Sequence, residues 1–229
     1  MVELFQVPEQ ICLFQIRFNM RVFLTGGSGG IGSAIKEALV TADVQVIAPS
    51  SLELSLSDEF NATNYPEVDG FIHCAGVNPL VTHDKVQAFD LFTTMRINTI
   101  SFIELCAQLK FRNNANIVAI GSLYATDAKE QRIQYTTSKH ALFGAVKTIA
   151  LEKAPNNIKV NMISPGFVDT PLTRQNNTKE RINYLNEAIP LGLTNPCEIA
   201  NLCVYFIKQN NAITGQNIQV DGGYTLRGI

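Results

Sequence analysis

The sequence predicts an α/β protein built on a doubly wound parallel sheet of about seven strands, with helices on both faces. Three observations carry this. Short, almost uninterrupted apolar runs recur along the chain, as expected of strands covered on both sides. Longer stretches with apolar residues at helical spacing separate them. The junctions are marked by Gly, Pro, Asn and Ser, the residues that close strands and helices.

Residues 22–24 form the first strand, running into the glycine-rich stretch 26–32, after which Ile31, Ile35, Ala38 and Leu39 recur at helical spacing. Residues 44–48 form the second strand, closed by Pro49-Ser50-Ser51. Leu52, Leu54 and Leu56 then alternate with polar residues and predict a short third strand. Residues 68–74 make a fourth, ending at Ala75-Gly76. Two helical stretches cover 84–112, His83 and Asp84 standing at their start. A strand follows at 116–120, a helix at 133–153 closed by Pro155, and a strand at 159–163 before Pro165-Gly166. Residues 178–188 and 196–208 read as helices, 173–179 as a solvated loop and candidate lid, and 217–220 as the last strand. No linker or repeat divides this pattern, so residues 20–229 are expected to form one domain. Residues 1–19 precede it as an extension, and Glu3, Glu9 and Arg17 argue against a signal peptide there.

The 229 residues suffice for one substantial core. A net charge of −2 gives no electrostatic case for nucleic acid or an anionic membrane, and no apolar run reaches the roughly 18 residues of a membrane span. Five scattered cysteines without a C-x-x-C pair, and three histidines without ligand spacing, point away from a disulfide framework or a metal site. They suit a reducing, cytoplasmic location.

Chemistry enters at residues 25–32, Thr-Gly-Gly-Ser-Gly-Gly-Ile-Gly, between a predicted strand and helix. Gly26 suits a tight turn and Gly30 a close backbone approach to a pyrophosphate. Gly32 suits close helix–strand packing, and the helix N-terminus offers free N–H groups to the anion. This is the context of a Rossmann-type dinucleotide site, although the spacing is G-x-x-x-G-x-G. Tyr135 and Lys139, four apart on a predicted helix, face one way, and an ammonium beside a phenol favours the phenolate. Ser122 follows the 116–120 strand, at the carboxyl edge where open α/β sheets bind ligands, and its hydroxyl can hold a substrate oxygen.

Taken together these motifs resemble the short-chain dehydrogenase/reductase family, most closely its 3-oxoacyl-[acyl-carrier-protein] reductase-like branch, over residues 21–225. Residues 25–32 resemble its cofactor loop. Cys74-Ala75-Gly76 resembles its Asn-Ala-Gly element, with cysteine in place of asparagine. Asn98 falls where the family keeps a catalytic asparagine, and Ser122 precedes Tyr135 by the family's usual interval. The segment 165–170 resembles the nicotinamide-flanking segment, and the tail 213–223 the C-terminal signature. The resemblance implies a catalytic set of Asn98, Ser122, Tyr135 and Lys139. Nicotinamide C4 would give the hydride and Tyr135 the proton. Lys139 would tune the tyrosine and hold the ribose, and Asn98 would link Lys139 to solvent through water. It implies cofactor contacts at Gly26, Ser28, Gly29, Gly30, Ile31, Ser50, Ser55, Leu56, Cys74, Ala75, Gly76, Pro165, Gly166, Val168 and Thr170, as well as Tyr135 and Lys139. No metal is implied.

Two departures stand out. The interval from Gly32 to Cys74 is short for the family, so the helix expected between the second and third strands is missing. Pro49-Ser50-Ser51 provides neither the carboxylate that favours NAD nor the cation that favours NADP; with nothing to repel a 2′-phosphate, the sequence leans to NADP(H). The expected protein is an NAD(P)-dependent oxidoreductase acting on a carbonyl or secondary alcohol. A 3-oxoacyl thioester, a steroid-like or sugar ketone and a small alcohol all remain open as substrates. The apolar 133–151 helix, more than one sheet face can cover, suggests a homo-oligomer, a tetramer or dimer. The rival readings are a catalytically silent dinucleotide-binding regulator of the same fold and a sugar-nucleotide epimerase or dehydratase, for which the C-terminal region is short. His140 and Cys74 are read as structural.

Overall fold

The computed structural model describes residues 19–227; the expected N-terminal extension lies outside them apart from Asn19. Among the described residues six strands form one parallel sheet in the order β2-β1-β3-β4-β5-β6. They are β1 (Arg21–Thr25), β2 (Gln45–Ile47), β3 (Val68–His73), β4 (Phe111–Ile120), β5 (Lys159–Pro165) and β6 (Asn217–Val220). The chain steps outward from β1 to β2, then crosses back to β3. Between β1 and β3 the strand order reverses, which opens a crevice at their carboxyl ends.

The apolar strands split their side chains by the two-residue period of a strand. Val22, Leu24, Ile72, Val118 and Ile163 point to one face, where Ile35 and Leu39 of α1 (Gly30–Thr41) and Ile199 and Phe206 of α7 (Pro196–Gln209) cover them. Phe23, Phe71, Ile117, Ala119, Val160 and Met162 point to the other. There they meet Phe102 and Leu105 of α3 (Ser101–Gln108) and Leu142 and Val146 of α4 (Ile133–Lys153). Burial on both faces is why these strands read as continuous hydrophobic runs.

The 84–112 region is a 3₁₀ turn, His83–Lys85, followed by α2 (Ala88–Met95), a π turn (Arg96–Ile100) and α3, so His83 and Asp84 do not open the helix. β4 begins at Phe111, earlier than the expected 116, because its first half is polar and carries no strand signal. Within the expected loop 173–179 the chain forms α5 (Pro171–Gln175), capped by Thr170, before Thr178 caps α6 (Lys179–Ala188). Among the described residues no helix is long and apolar enough to cross a membrane.

The expected third strand is corrected. Residues 52–56 form turns and bends that pair with no strand: Leu52 is 98% exposed, while Leu54 (7% exposed) joins the core and Leu56 packs against it half-buried. The helix missing between β2 and β3 is replaced by an irregular segment tied down by the following helix. Arg96 Nη2 donates to the Asp58 carbonyl (2.6 Å), its Nη1 pairs with Glu104 (2.7 Å), and its guanidinium lies over the Phe60 ring at 5.1 Å. Gln108 accepts from the Ala62 N–H (2.6 Å). Leu54 and Ala62 thereby cover the sheet face that a helix would otherwise cover.

His73, at the end of β3, is fully buried between Phe71 and Phe102, with Nδ1 3.0 Å from the Thr25 hydroxyl. Burial first, and the Lys139 ammonium second, push its pKa down to about 3. Below the ordinary value near 6.5 the unfolded chain binds a proton that the folded ring refuses, so stability falls as pH drops from 6.5 toward 3. Urea unfolding at pH 6.5 and 5.2, above the main carboxylate titrations, should show this loss in the wild type and a smaller one in His73→Asn. Equal losses in both proteins would rule out His73 as its source.

Candidate active site

The crevice at the β1/β3 switch point is walled first by the glycine loop. Gly26 sits at φ +69, and a Cβ there would lie 2.6 Å from the Ala75 nitrogen, so only glycine lets the loop rest on the end of β3. A Cβ at Gly32 would come within 2.0 Å of the Gly26 carbonyl, so the first turn of α1 closes directly onto the loop. Gly30 approaches Thr170 rather than open space: a Cβ there would lie 2.9 Å from the Thr170 side chain. The N-terminus of α1 has no side-chain cap and no acidic residue in its first turn. Its N–H groups and dipole are therefore available to an anion.

The opposite wall belongs to α4 and the π turn. Tyr135 and Lys139 share one face of α4, with Lys139 Nζ 5.6 Å from the Tyr135 ring centroid and hydrogen-bonded to the Ile120 carbonyl (2.8 Å). Asn98, fully buried in the π turn, holds three elements together. Its Oδ1 accepts from Val77 N–H (2.8 Å), and its Nδ2 donates to the Val77 carbonyl (2.9 Å) and to Ser138 Oγ (2.9 Å). Ser138 in turn donates to the Tyr135 carbonyl (2.7 Å), and Thr99 donates to the Ser138 carbonyl (2.8 Å). The extra residue of a π turn is what aims these side chains at α4. Ser122 lies just beyond β4, its Oγ accepting from Tyr124 N–H.

Gly26, Gly29, Gly30, Ile31, Cys74, Gly76, Ser122, Tyr135, Lys139, Pro165, Gly166, Val168 and Thr170 all line this one cleft. Asn98 stands behind Gly76, whose added Cβ would lie 3.3 Å from Asn98 Oδ1. Ser28, Ala75, Ser50, Ser55 and Leu56 are not on its walls. Ser50 donates from both its N–H (2.8 Å) and its hydroxyl (2.9 Å) to the Glu53 carboxylate; Ser55 bonds Ser57 and Asp58; Leu56 packs on the core. His140 is exposed and faces the Thr136 carbonyl, off the catalytic wall.

Electrostatics modify one expectation. Burial raises the Tyr135 phenol above its ordinary value and outweighs the opposing hydrogen bond from Ser122 and the charge of Arg132. Lys139 is itself the more perturbed group: burial pushes it down to about 8. Cys74 is pushed up to about 12 by burial, which leaves it an inert thiol. Sequence reasoning missed Ser138, Glu53, Lys129 and Arg132. Ser138 and Arg132 carry a readable signal, since each stands three residues from Tyr135 on the same helical face. Glu53 carries none, because its turn depends on a missing helix.

Comparison with known proteins agrees with this geometry. Residues 31–225 match a family model described as enoyl-(acyl carrier protein) reductase. Carbonyl reductase family member 4 from Xenopus laevis is 30% identical over 88% of this chain and 96% of its own length. The 3-oxoacyl-[acyl-carrier-protein] reductase of Rickettsia prowazekii is 30% identical over 89% and 95%. A crystal structure of a short chain dehydrogenase family protein from Francisella tularensis superposes with a TM-score of 0.78 at 26% identity, covering 91% of this chain and 99% of that one.

The depressed Lys139 value makes a prediction. Between about 8 and its ordinary 10.5, the unfolded chain holds a proton that the folded lysine has released. This contributes stability as pH rises through 8. The buried thiols Cys74, Cys106 and Cys203, raised by burial, act the other way from about 9, and Tyr135 does so from 10. The prediction is therefore a difference between proteins. From pH 7.5 to 9.5 the unfolding midpoint of Lys139→Met should change less favourably than that of the wild type. An identical change in both proteins would contradict the assignment.

Proposed function

The chain belongs to the short-chain dehydrogenase/reductase family of NAD(P)-dependent oxidoreductases, and we propose that it moves a hydride between a nicotinamide dinucleotide and a carbonyl or secondary alcohol, with Tyr135 as acid/base. One observation carries this reading. Ser122, Tyr135 and Lys139 converge in the same cleft that presents the uncapped N-terminus of α1. The residues fit a dinucleotide: free helix N–H groups for a pyrophosphate, and a floor of Pro165, Gly166, Val168 and Thr170 toward the reacting end.

The cofactor, when bound, supplies or accepts the hydride. Everything else falls to the chain. In reduction, the Tyr135 hydroxyl gives its proton to the substrate oxygen, and the Ser122 hydroxyl holds that oxygen as charge develops on it. Lys139, protonated below about 8, stabilises the phenolate that Tyr135 becomes and reaches toward the ribose. Asn98 fixes α4 against the loop after β3. The cleft closes over these groups with α5, whose Leu172 and Thr173 line it.

In place of the sequence's lean toward NADP(H) we propose a modest lean toward NAD(H), supported by Glu53. Glu53 accepts both donors of Ser50 just beyond β2, which lowers its own pKa and places a carboxylate where the sequence shows none. A ribose 2′-hydroxyl can donate to that carboxylate, whereas a 2′-phosphate has to displace it against like-charge repulsion. The group is exposed and screened, so the resulting NAD(H) preference is modest. We read residues 20–229 as one catalytic domain that works as a homo-oligomer, since Phe89, Phe92 and Leu151 leave large apolar surfaces on α2 and α4. The thiols, none of them paired among the described residues, suit a reducing compartment such as the cytoplasm.

Tyr135→Phe removes the hydroxyl and keeps the ring. Turnover of a ketone panel should fall by roughly 10²–10⁴, with NADH and NADPH titrations within a few-fold of wild type and NADH the tighter in both proteins. A variant retaining more than about a tenth of wild-type kcat would exclude Tyr135 as the proton donor.

A further inference from the structure

The hydride-transfer reading leaves three cations at the mouth of the same cleft without a role. Arg132 is only 8% exposed and occupies the N-cap of α4, three residues before Tyr135, so both look into the cleft from one side. Its Nη1 donates to the Asn78 side chain (2.7 Å) and carbonyl (3.3 Å), while its buried Nε has no partner among the described residues. Lys129 also lines the cleft, its Nζ 5.5 Å from the Phe167 ring centroid. Arg181, its guanidinium over the Tyr184 ring, joins Lys129 in the adjoining recess, which Tyr124 and Tyr224 also line.

Among the described residues these charges meet an amide and aromatic rings rather than carboxylates: Asn78 for Arg132, Phe167 for Lys129 and Tyr184 for Arg181. Arg96, Arg112 and Arg174 each hold a carboxylate, but no ion pair among the described residues involves Lys129, Arg132 or Arg181. Asp127 lies on the rim of the recess yet outside ion-pair distance of all three. Lys129 is held below its ordinary value by burial, then by Arg181 and Arg132, and Arg132 is lowered chiefly by burial. The chain as a whole is slightly acidic, with a net charge of −2, so an overall excess of cations does not explain the cluster. A desolvated guanidinium beside two more positive charges is unfavourable until an anion joins it. Arginine is also the side chain whose planar fork matches an oxyanion.

Resting on the hydride-transfer reading and deepening it, we propose that the substrate carries an oxyanion, a carboxylate or a phosphate, close to its reacting carbonyl, and that Arg132 binds it with support from Lys129 and Arg181. Arg132 stands three residues before Tyr135 and lines the same cleft, which suits an oxyanion close to the reacting carbonyl. Short oxo acids and oxo phosphates fit this arrangement; neutral steroid-like or sugar ketones leave the cations without an anion.

The test compares kcat/KM within two matched pairs, acetoacetate against methyl acetoacetate and dihydroxyacetone phosphate against dihydroxyacetone. In the wild type at least one anion should exceed its neutral partner by about tenfold or more, and the pair that does so identifies carboxylate or phosphate. Arg132→Gln and Lys129→Gln should each shrink that ratio several-fold. The ratio, unlike the rate, is insensitive to any loss of Tyr135 activation when Arg132 is removed. Ratios near one, with neutral ketones still turned over, overturn the anion subsite and leave the hydride-transfer reading intact. Should no carbonyl be turned over with either cofactor, the underlying reading fails. Calorimetric titration of the same two anions into the protein then decides the subsite, and absent binding, or binding unchanged in the variants, overturns it. If Arg132→Gln fails to fold, the exposed Lys129→Gln carries both measurements.

Discussion

The site depends on one buried amide. Asn98 sits in a helix that takes one extra residue at Arg96–Ile100, and from there it bonds both the loop after β3 and the middle of α4. Without that π turn a regular helix would rotate Asn98 away from Ser138, and the middle of α4 would lose this tie to the loop after β3. Those bonds are made by fully buried side chains, where a broken one leaves a buried polar group unsatisfied. The clamp therefore defines the cleft sharply. Tyr135 and Lys139 inherit their positions from it, and Ser138 relays the constraint to the Tyr135 carbonyl.

The same interior sets the electrostatics. Burial raises Tyr135, lowers Lys139 and keeps His73 neutral, so below about pH 8 Lys139 is the one of these three groups that carries a charge. At the rim Arg132 and Lys129 add cations that meet no carboxylate among the described residues. The fold pairs its other buried arginine, Arg96, with Glu104, while Arg132 meets no carboxylate among the described residues and keeps its Nε without a partner, a position suited to an anion arriving from solution. Buried polar strain of this kind concentrates where function demands it.

Much of this was legible in the residues. The strands announced themselves because both faces are buried, and α4 was placed at 133–153 because its signal is long and helix-periodic. Tyr135 and Lys139 were legible as a pair through the same period. Illegible features depended on contacts distant in sequence. Leu52, Leu54 and Leu56 imitate a strand, yet Arg96 and Gln108 from a later helix decide that the segment is a tied-down turn. The polar start of β4 is a strand only because Val68 pairs with Phe111. Glu53 reaches Ser50 through a turn that follows no helical or strand period, and Asn98 was recognised by resemblance before its partners could be named.

The claim that the Asn98 clamp positions the chemistry is tested most directly by the single-turnover rate of hydride transfer in Asn98→Leu, well below the melting temperatures of both proteins. Misplacing a reacting group by about 1 Å costs on the order of a hundredfold. The account predicts a fall of that order with cofactor affinity within a few-fold of wild type. A variant that folds, binds cofactor and transfers hydride at the wild-type rate would contradict it.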